Sequence, residues 1–222
     1  LVVEQRALLD RFDPERKIGL IVDEWGTWHF PTPGRNPAHL WQQSTLRDGL
    51  VAALTLDIFN RHADKLVMCN IAQTVNVLQS MILTQGEKML LTPTYHVFEL
   101  YRSHQGARSL PTTFEAPPIA FAAGDEKRQM AGLAGSASLK SDLLTLSVVN
   151  PNATLPAEAE LDLGGATLQD AMVSVLTHAD LTAHNTFESP QTLRPTVGPF
   201  EAGDRHVFAP ASVTVIRGRL NS

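Results

Sequence analysis

The feature that most constrains this chain is the stretch Gly19-Leu20-Ile21-Val22-Asp23-Glu24-Trp25-Gly26-Thr27-Trp28, where a short aliphatic run stops abruptly at two carboxylates and two indoles. An aliphatic run bounded by glycine and charge reads as a strand buried on both faces, as in parallel sheets and barrels. In barrels of alternating strands and helices, the residues at the C-terminal strand ends line the mouth, so Glu24 is placed at a site and Val22 in the wall. Successive strand residues face opposite ways, which turns Asp23 away from Glu24 and makes it a structural acceptor. The indoles add flat apolar faces on which a sugar ring can stack. Trp25 and Trp28 cannot both share the face of Glu24 on a continuing strand, but a backbone turn past the strand end brings at least one of them to the pocket.

The rest of the chain supplies what such a strand needs. Val2, Val3, Leu8, Leu9 and Phe12 suit one helical face, and Asp13-Pro14 ends that helix because a residue before proline avoids the helical region. The strand then runs from Ile18 to Val22. Phe30 to Pro37 is too rich in Pro and Gly for regular structure and reads as a loop above the sheet. From Leu40 to His62 the pattern is helical, with Leu46, Leu50, Leu54 and Ile58 at four-residue spacing. Leu66 to Met68 forms the next buried strand, and Asn70 to Asn76 follows where a second set of strand-end residues faces the pocket. Gln85-Gly86-Glu87 is a turn, and Pro93 opens a closing helix that carries Tyr95, Phe98 and Tyr101.

After Gly106 the composition shifts. Short alternating runs such as Leu144-Thr145-Leu146-Ser147-Val148, separated by Asn-Pro and Gly-Gly turns, predict an antiparallel sandwich. The fold expected is therefore α/β plus all-β: residues 1–106 hold the last strand-helix steps of a (β/α)8 barrel, and residues 107–222 a β-sandwich of jelly-roll type.

With 222 residues, 43% hydrophobic, the chain can bury a full core. A formal charge of -5 without a Lys/Arg run argues against nucleic acid or an anionic membrane as partner and suits a neutral substrate. Cys69 is the single cysteine, so no intrachain disulfide can form, which fits the cytoplasm. No apolar run approaches the roughly 18 residues of a membrane span. The histidines show no short zinc-type spacing, and neither a metal nor another cofactor is expected. The start at Leu1, inside a helical pattern, suggests a chain that begins mid-protein.

Three motifs in order carry a family resemblance: Val22-Asp23-Glu24-Trp25-Gly26-Thr27-Trp28-His29, Asn70-Ile71-Ala72-Gln73-Thr74-Val75-Asn76-Val77-Leu78, and Leu91-Thr92-Pro93-Thr94-Tyr95-His96-Val97-Phe98. They resemble the C-terminal part of α-L-arabinofuranosidases of glycoside hydrolase family 51. The commoner family run is Glu-Trp-Asn-Val-Trp, and here Gly26-Thr27 stands in its middle. The resemblance implies that Glu24 is the nucleophile of a retaining double displacement, that Gln73 binds sugar hydroxyls, and that Trp28 and, second to it, Trp25 contact the substrate. His29 adjoins the same site and is a further candidate contact. The implied substrate is a terminal α-L-arabinofuranosyl group on an arabinan or arabinoxylan oligosaccharide. The implied partners are an N-terminal segment supplying the acid/base glutamate and further copies in a homo-oligomer. Two other readings stay open: another retaining glycosidase of similar barrel type, such as a β-xylosidase or endoglucanase, or a non-catalytic carbohydrate-binding or assembly fragment.

Overall fold

Asp13 does more than end a helix. In the computed structural model, which describes residues 1–201 and 205–221, helix α1 (Val2–Phe12) stops at Asp13. The Asp13 carboxylate accepts the backbone N–H groups of Lys17 and Ile18 at 3.1 and 2.7 Å, which turns the chain into strand β1 (Leu20–Trp25). The same carboxylate meets Lys65, whose side chain is 1% exposed, at 3.3 Å. Lys65 directly precedes strand β2 (Leu66–Ile71), so one buried ion pair joins the entrances of two parallel neighbours. Between them runs helix α2 (Leu46–Arg61), and after them come the hairpin β3 (Ile82–Gln85) and β4 (Lys88–Leu91) and helix α3 (Pro93–Tyr101). Gly86 takes φ 58° at the hairpin tip, a left-handed conformation that costs glycine little.

The expectation that β1 is buried on both faces is corrected. β1 and β2 form a two-stranded sheet of their own, and Ile21, Val67 and Met68 are 45%, 66% and 48% exposed. Only the face toward α2 and α3 is covered among the described residues. Helix α2 also starts later than its apolar pattern suggests, because Leu40 adopts φ 51° and residues 41–45 run extended before Thr45 caps the first turn.

The remaining strands are β5 (Arg108–Leu110), β6 (Ile119–Ala123), β7 (Glu126–Met130), β8 (Ala134–Lys140), β9 (Leu143–Asn150), β10 (Ala157–Glu160), β11 (Thr167–Thr177), β12 (Thr196–Pro199), β13 (Arg205–Phe208) and β14 (Ser212–Asn221). Six of them make one antiparallel sheet in the order β12-β11-β14-β9-β8-β5, and β10 pairs with β13 as a separate ribbon. Phe208 of that ribbon packs with Leu144, Leu146, Val148 and Ile216 of the large sheet, closing a β-sandwich core. The alternation in β9 is real, yet its polar face is not solvated: Thr145 and Ser147 are 2% and 0% exposed.

Those hydroxyls face α2. Four-residue spacing drifts by about 40° per step around a helix, so residues 46, 50, 53 and 57 share a face while Ile58 falls off it. Leu46, Leu50 and Ala53 pack there with Val149, Val213 and Val215 of the sheet, each fully buried aliphatic side chain contributing about 1.5–3 kcal/mol. Asp57, 0% exposed, takes the position that Ile58 was expected to fill. Its Oδ1 accepts the hydroxyls of Ser136 (2.7 Å) and Ser147 (2.6 Å), and its Oδ2 accepts that of Tyr101 (2.9 Å). Arg61, one turn on, donates to the Gly135 carbonyl.

Burial pushes the Asp57 carboxyl up to about 6, against the pull of the Ser147, Ser136 and Tyr101 hydroxyls and of the Arg61 charge. Because this folded-state value lies above the ordinary 3.8, folding takes up a proton between the two. The stability the group lends is complete below about pH 4 and is lost as the pH rises through about 6. His104, pushed down to about 4 by burial, acts in the opposite sense over the same window, so the informative quantity is a difference. The unfolding free energy of the parent minus that of Asp57→Asn should rise by about 3 kcal/mol as the pH falls from about 7 to 4. A flat difference in denaturant titrations across that range would show that Asp57 is not the titrating group.

Candidate active site

β1 and β2 run parallel, with Val22 opposite Cys69 and Trp25 opposite Ile71. Three steps along β1 match two along β2, so β1 carries one extra residue where Asp23 and Glu24 sit. Such a bulge bends a strand and re-aims its side chains. The Ala72 N–H then donates to the Trp25 carbonyl at 2.9 Å, which ties the two strand ends together. Glu24 and Gln73 consequently lie at the same end of adjacent strands, and both are exposed.

The loops above this edge are joined to each other. Leu78 donates its N–H to the Leu40 carbonyl at 2.9 Å, and Gln73 N–H reaches the Val77 carbonyl at 3.2 Å. Between the loops lies a cavity of ≈ 540 Å³ whose lining includes Arg35, His39, Trp41, Asn76 and Val77. The Arg35 guanidinium stacks 4.4 Å above the Trp41 ring. Asn76 is committed to its neighbour: its side chain donates to the Thr84 hydroxyl and accepts the Thr84 N–H, both at 2.7 Å.

The two tryptophans separate cleanly. Gly26 takes φ 137°, and there the chain leaves the strand. Before that turn, Trp25 faces the helices, edge-on to Phe59 at 5.4 Å and stacked with Phe98 at 6.0 Å. After it, Trp28 is 66% exposed beside Glu24 in sequence and free to offer a ring face. His29 is half-buried, and its Nε2 lies 2.7 Å from Asp48 Oδ1. The Arg47 guanidinium lies 3.0 Å from the same nitrogen, so the ring is held between Asp48 and Arg47.

Asp48 and Gln79, neither a sequence-based candidate, hold the loop that follows Glu24. Both are 0% exposed. Asp48 accepts the Thr27 hydroxyl at 2.8 Å and, three residues into α2, reaches back to the Thr45 N–H at 2.8 Å. Gln79 Oε1 accepts the Thr27 N–H at 2.7 Å, while its Nε2 donates to the Asp48 carbonyl at 2.7 Å and the Thr94 hydroxyl at 3.1 Å. Burial pushes the Asp48 carboxyl up, but the bonds from His29, Thr45 and Thr27 outweigh it and hold the group below the usual carboxylate range. A Thr-x-x-Asp helix start made Asp48 findable as a capping residue. Gln79 carries no local signal.

Cys69 is half-buried in β2, and burial pushes its thiol up. Among the described residues no group of three or more His, Cys, Asp and Glu side chains is arranged to hold a metal ion. Among the described residues no helix is long and apolar enough to cross a membrane.

Comparison with known proteins places this geometry in a family. Residues 23–212 match the family described as the α-L-arabinofuranosidase C-terminal domain. The chain is 41% identical over 195 residues to an intracellular exo-α-L-arabinofuranosidase of Bacteroides ovatus, an overlap covering 87% of this chain and 37% of that protein. It superimposes on the family 51 arabinofuranosidase of Xanthomonas axonopodis pv. citri with a TM-score of 0.90 and 39% identity, over 98% of this chain and 44% of that one. The α-L-arabinofuranosidase of Thermotoga maritima, solved as an arabinose complex, gives a TM-score of 0.83 and 25% identity over 98% and 48% of the two chains. The chain belongs to the α-L-arabinofuranosidases of glycoside hydrolase family 51, as part of their C-terminal region. It spans about a third of the length of the curated relatives it matches.

The separation of the indoles has a measurable consequence. Trp25→Ala should cost about 3 kcal/mol of stability, because it empties the space between Phe59 and Phe98. Trp28→Ala should stay within about 0.5 kcal/mol of the parent. Chemical denaturation of the two variants distinguishes these roles, and equal losses would contradict the placement.

Proposed function

We propose that this chain is the C-terminal portion of a retaining exo-α-L-arabinofuranosidase that removes terminal α-L-arabinofuranosyl groups from arabinan or arabinoxylan oligosaccharides. In this reading residues 1–106 are the last strand-helix steps of a catalytic (β/α)8 barrel and residues 107–222 its companion sandwich. The observation that carries the proposal is the parallel β1–β2 pair, which presents Glu24 and Gln73 at one strand end with Trp28 on the adjoining loop.

Glu24 attacks the anomeric carbon while an acid group protonates the glycosidic oxygen. The bond from carbon to leaving group breaks as the ester to Glu24 forms. Water, deprotonated by the same acid/base group, then attacks that carbon and frees the Glu24 carboxylate with net retention. Gln73 both donates and accepts, which suits the hydroxyls of the bound sugar, and Trp28 offers a stacking face. Trp25, braced by two phenylalanines, and His29, held by Asp48, support this wall from behind.

A retaining pair of carboxyl groups stands about 5–5.5 Å apart. The family resemblance implies that the acid/base glutamate lies in a segment ahead of Leu1, and Asp48 and Asp57, enclosed in hydrogen bonds, do not supply it. The exposed aliphatic face of Ile21, Val67 and Met68 supports such a segment, since it is the surface further barrel strands would cover. The relatives' greater length agrees. Because both curated relatives are named intracellular, the cytoplasm is the proposed location. A homo-oligomer completes the proposal.

In the complete enzyme, Glu24→Ala should abolish turnover of a nitrophenyl α-L-arabinofuranoside while leaving the fold intact. Azide should restore cleavage and give a product of inverted configuration, and undiminished hydrolysis by the variant would refute the assignment. Gln73→Ala should lower kcat/KM by about 10 to 100-fold, the equivalent of one or two hydrogen bonds. Parent-like kinetics across a panel of arabinofuranosides would return Gln73 to a structural role.

A further inference from the structure

The capping box of Thr45 and Asp48 leaves the first two N–H groups of helix α2 without a partner in the helix. The opening N–H groups of a helix have no partner within it, and here the Leu46 and Arg47 N–H groups donate to the carbonyls of Ala183 and Leu181, each at 3.0 Å. Those carbonyls belong to the sandwich loop after β11. Asp180 shapes that loop by accepting the Thr182 N–H and hydroxyl, both at 2.8 Å. Asn185, 0% exposed, fastens it: its amide donates to the Leu91 carbonyl at 2.8 Å and the Leu193 carbonyl at 3.0 Å, and accepts the Leu193 N–H at 2.7 Å.

Asp48 sits on the turn that this loop holds. From there its carboxylate takes the Thr27 hydroxyl and the His29 ring, and its carbonyl takes Gln79, which in turn takes the Thr27 N–H. Thr27 is three residues beyond Glu24, and Gly26 between them has the freedom of a positive φ. The path of the chain out of Glu24 is thus set by hydrogen bonds to two buried side chains, and one of these stands on a helix turn that the sandwich fixes.

We infer that Asp48 is a positioning residue for Glu24, and that the sandwich loop 180–193, pinned by Asn185, acts on the reaction by fixing the helix turn that carries Asp48. This rests on the assignment of Glu24 as nucleophile. A displacement of about 1 Å in a reacting group can cost on the order of 100-fold in rate, whereas ground-state binding through Gln73 and Trp28 is left in place. The signature is therefore a loss in kcat with little change in KM.

The experiment uses the complete enzyme with Thr27→Val, Asp48→Asn, their double variant, Asn185→Ala and, in parallel, Glu24→Ala with and without azide. Kinetics on a nitrophenyl α-L-arabinofuranoside are normalised to folded protein, and thermal midpoints are recorded. Thr27→Val and Asp48→Asn should each lower kcat by about 10 to 100-fold with KM within about threefold. The double variant should be no slower than Asp48→Asn alone, since both act through one contact. Asn185→Ala should shift kcat in the same direction. Thr27→Val exchanges one hydroxyl for a methyl group of similar size, so it decides the matter should Asp48→Asn fail to fold. If Glu24→Ala is inactive and rescued by azide while Thr27→Val keeps the parent kcat per folded molecule, the positioning role is overturned and the nucleophile stands. If Glu24→Ala retains full activity, the nucleophile assignment falls and the positioning role with it.

Discussion

Everything in the structure depends on helix α2 being buried on two opposite sides. Asp48 and Asp57 are nine residues apart, about two and a half turns, which sets them on opposite sides of the helix. Residues 48, 52 and 59 look toward β1, where Phe59 meets Trp25. Residues 46, 50, 53 and 57 look toward the six-stranded sheet, where Asp57 gathers three hydroxyls. A helix in this position cannot follow the one-sided apolar stripe of a surface helix. It carries a polar anchor on each side, and each anchor is fully enclosed.

A buried carboxylate without partners would be far too costly to keep. Each of these two meets at least three donors, and, apart from Thr45 beside Asp48, the donors come from segments distant in sequence. Removing a donor leaves a buried charge short of a bond, so the anchors resist small displacements of the elements that carry the donors. This coupling makes the sandwich more than a neighbour of the β1–β2 sheet: the sheet meets α2 through Ser136 and Ser147, and the loop after β11 meets the first turn of the same helix. Both contacts end on the element that holds the loop after Glu24.

What the sequence revealed follows the range of the interactions. Local chemistry was legible: the stop at Asp13, the turn at Gly86, Pro93 at the start of α3 and the alternating strands from Ala134 onward all appear where the letters place them. Non-local burial was not. The alternation of β9 marked a strand without showing that its Thr145/Ser147 face is buried, because alternation reports which residues share a side and not what covers it. Ile58 was expected in the core because four-residue spacing ignores helical drift, and Asp57 holds that position instead. At the site, the motifs pointed to Glu24 and Gln73, but the strand expected over Ile18 to Val22 runs Leu20–Trp25, and the opposite destinations of Trp25 and Trp28 came only with the turn at Gly26. Asp48 was missed because the helix was expected to start at Leu40; nothing in its neighbourhood announces Thr27 as a partner 21 residues away, and Gln79 reaches Thr27 across 52.

The two anchors also respond to acid in opposite ways, although both are buried carboxylates. Asp48 accepts a backbone N–H and a histidine ring as well as a hydroxyl, and these outweigh burial, so its carboxyl is held below the usual range. Its stabilising effect is present above the ordinary carboxylate value and lost only as the pH falls through the still lower folded value. Asp57 accepts hydroxyls alone, and burial prevails. A hydroxyl can rotate to accept from a protonated carboxyl as readily as it donates to an ionised one. A backbone N–H cannot reverse, so protonating Asp48 would cost it a donor that Asp57 never needed. In mildly acidic conditions the sandwich anchor becomes neutral and stays bonded while the loop anchor stays charged and stays bonded. The loop that follows Glu24 is thereby held in one geometry through mild acid, while the sandwich side of the same helix changes its charge.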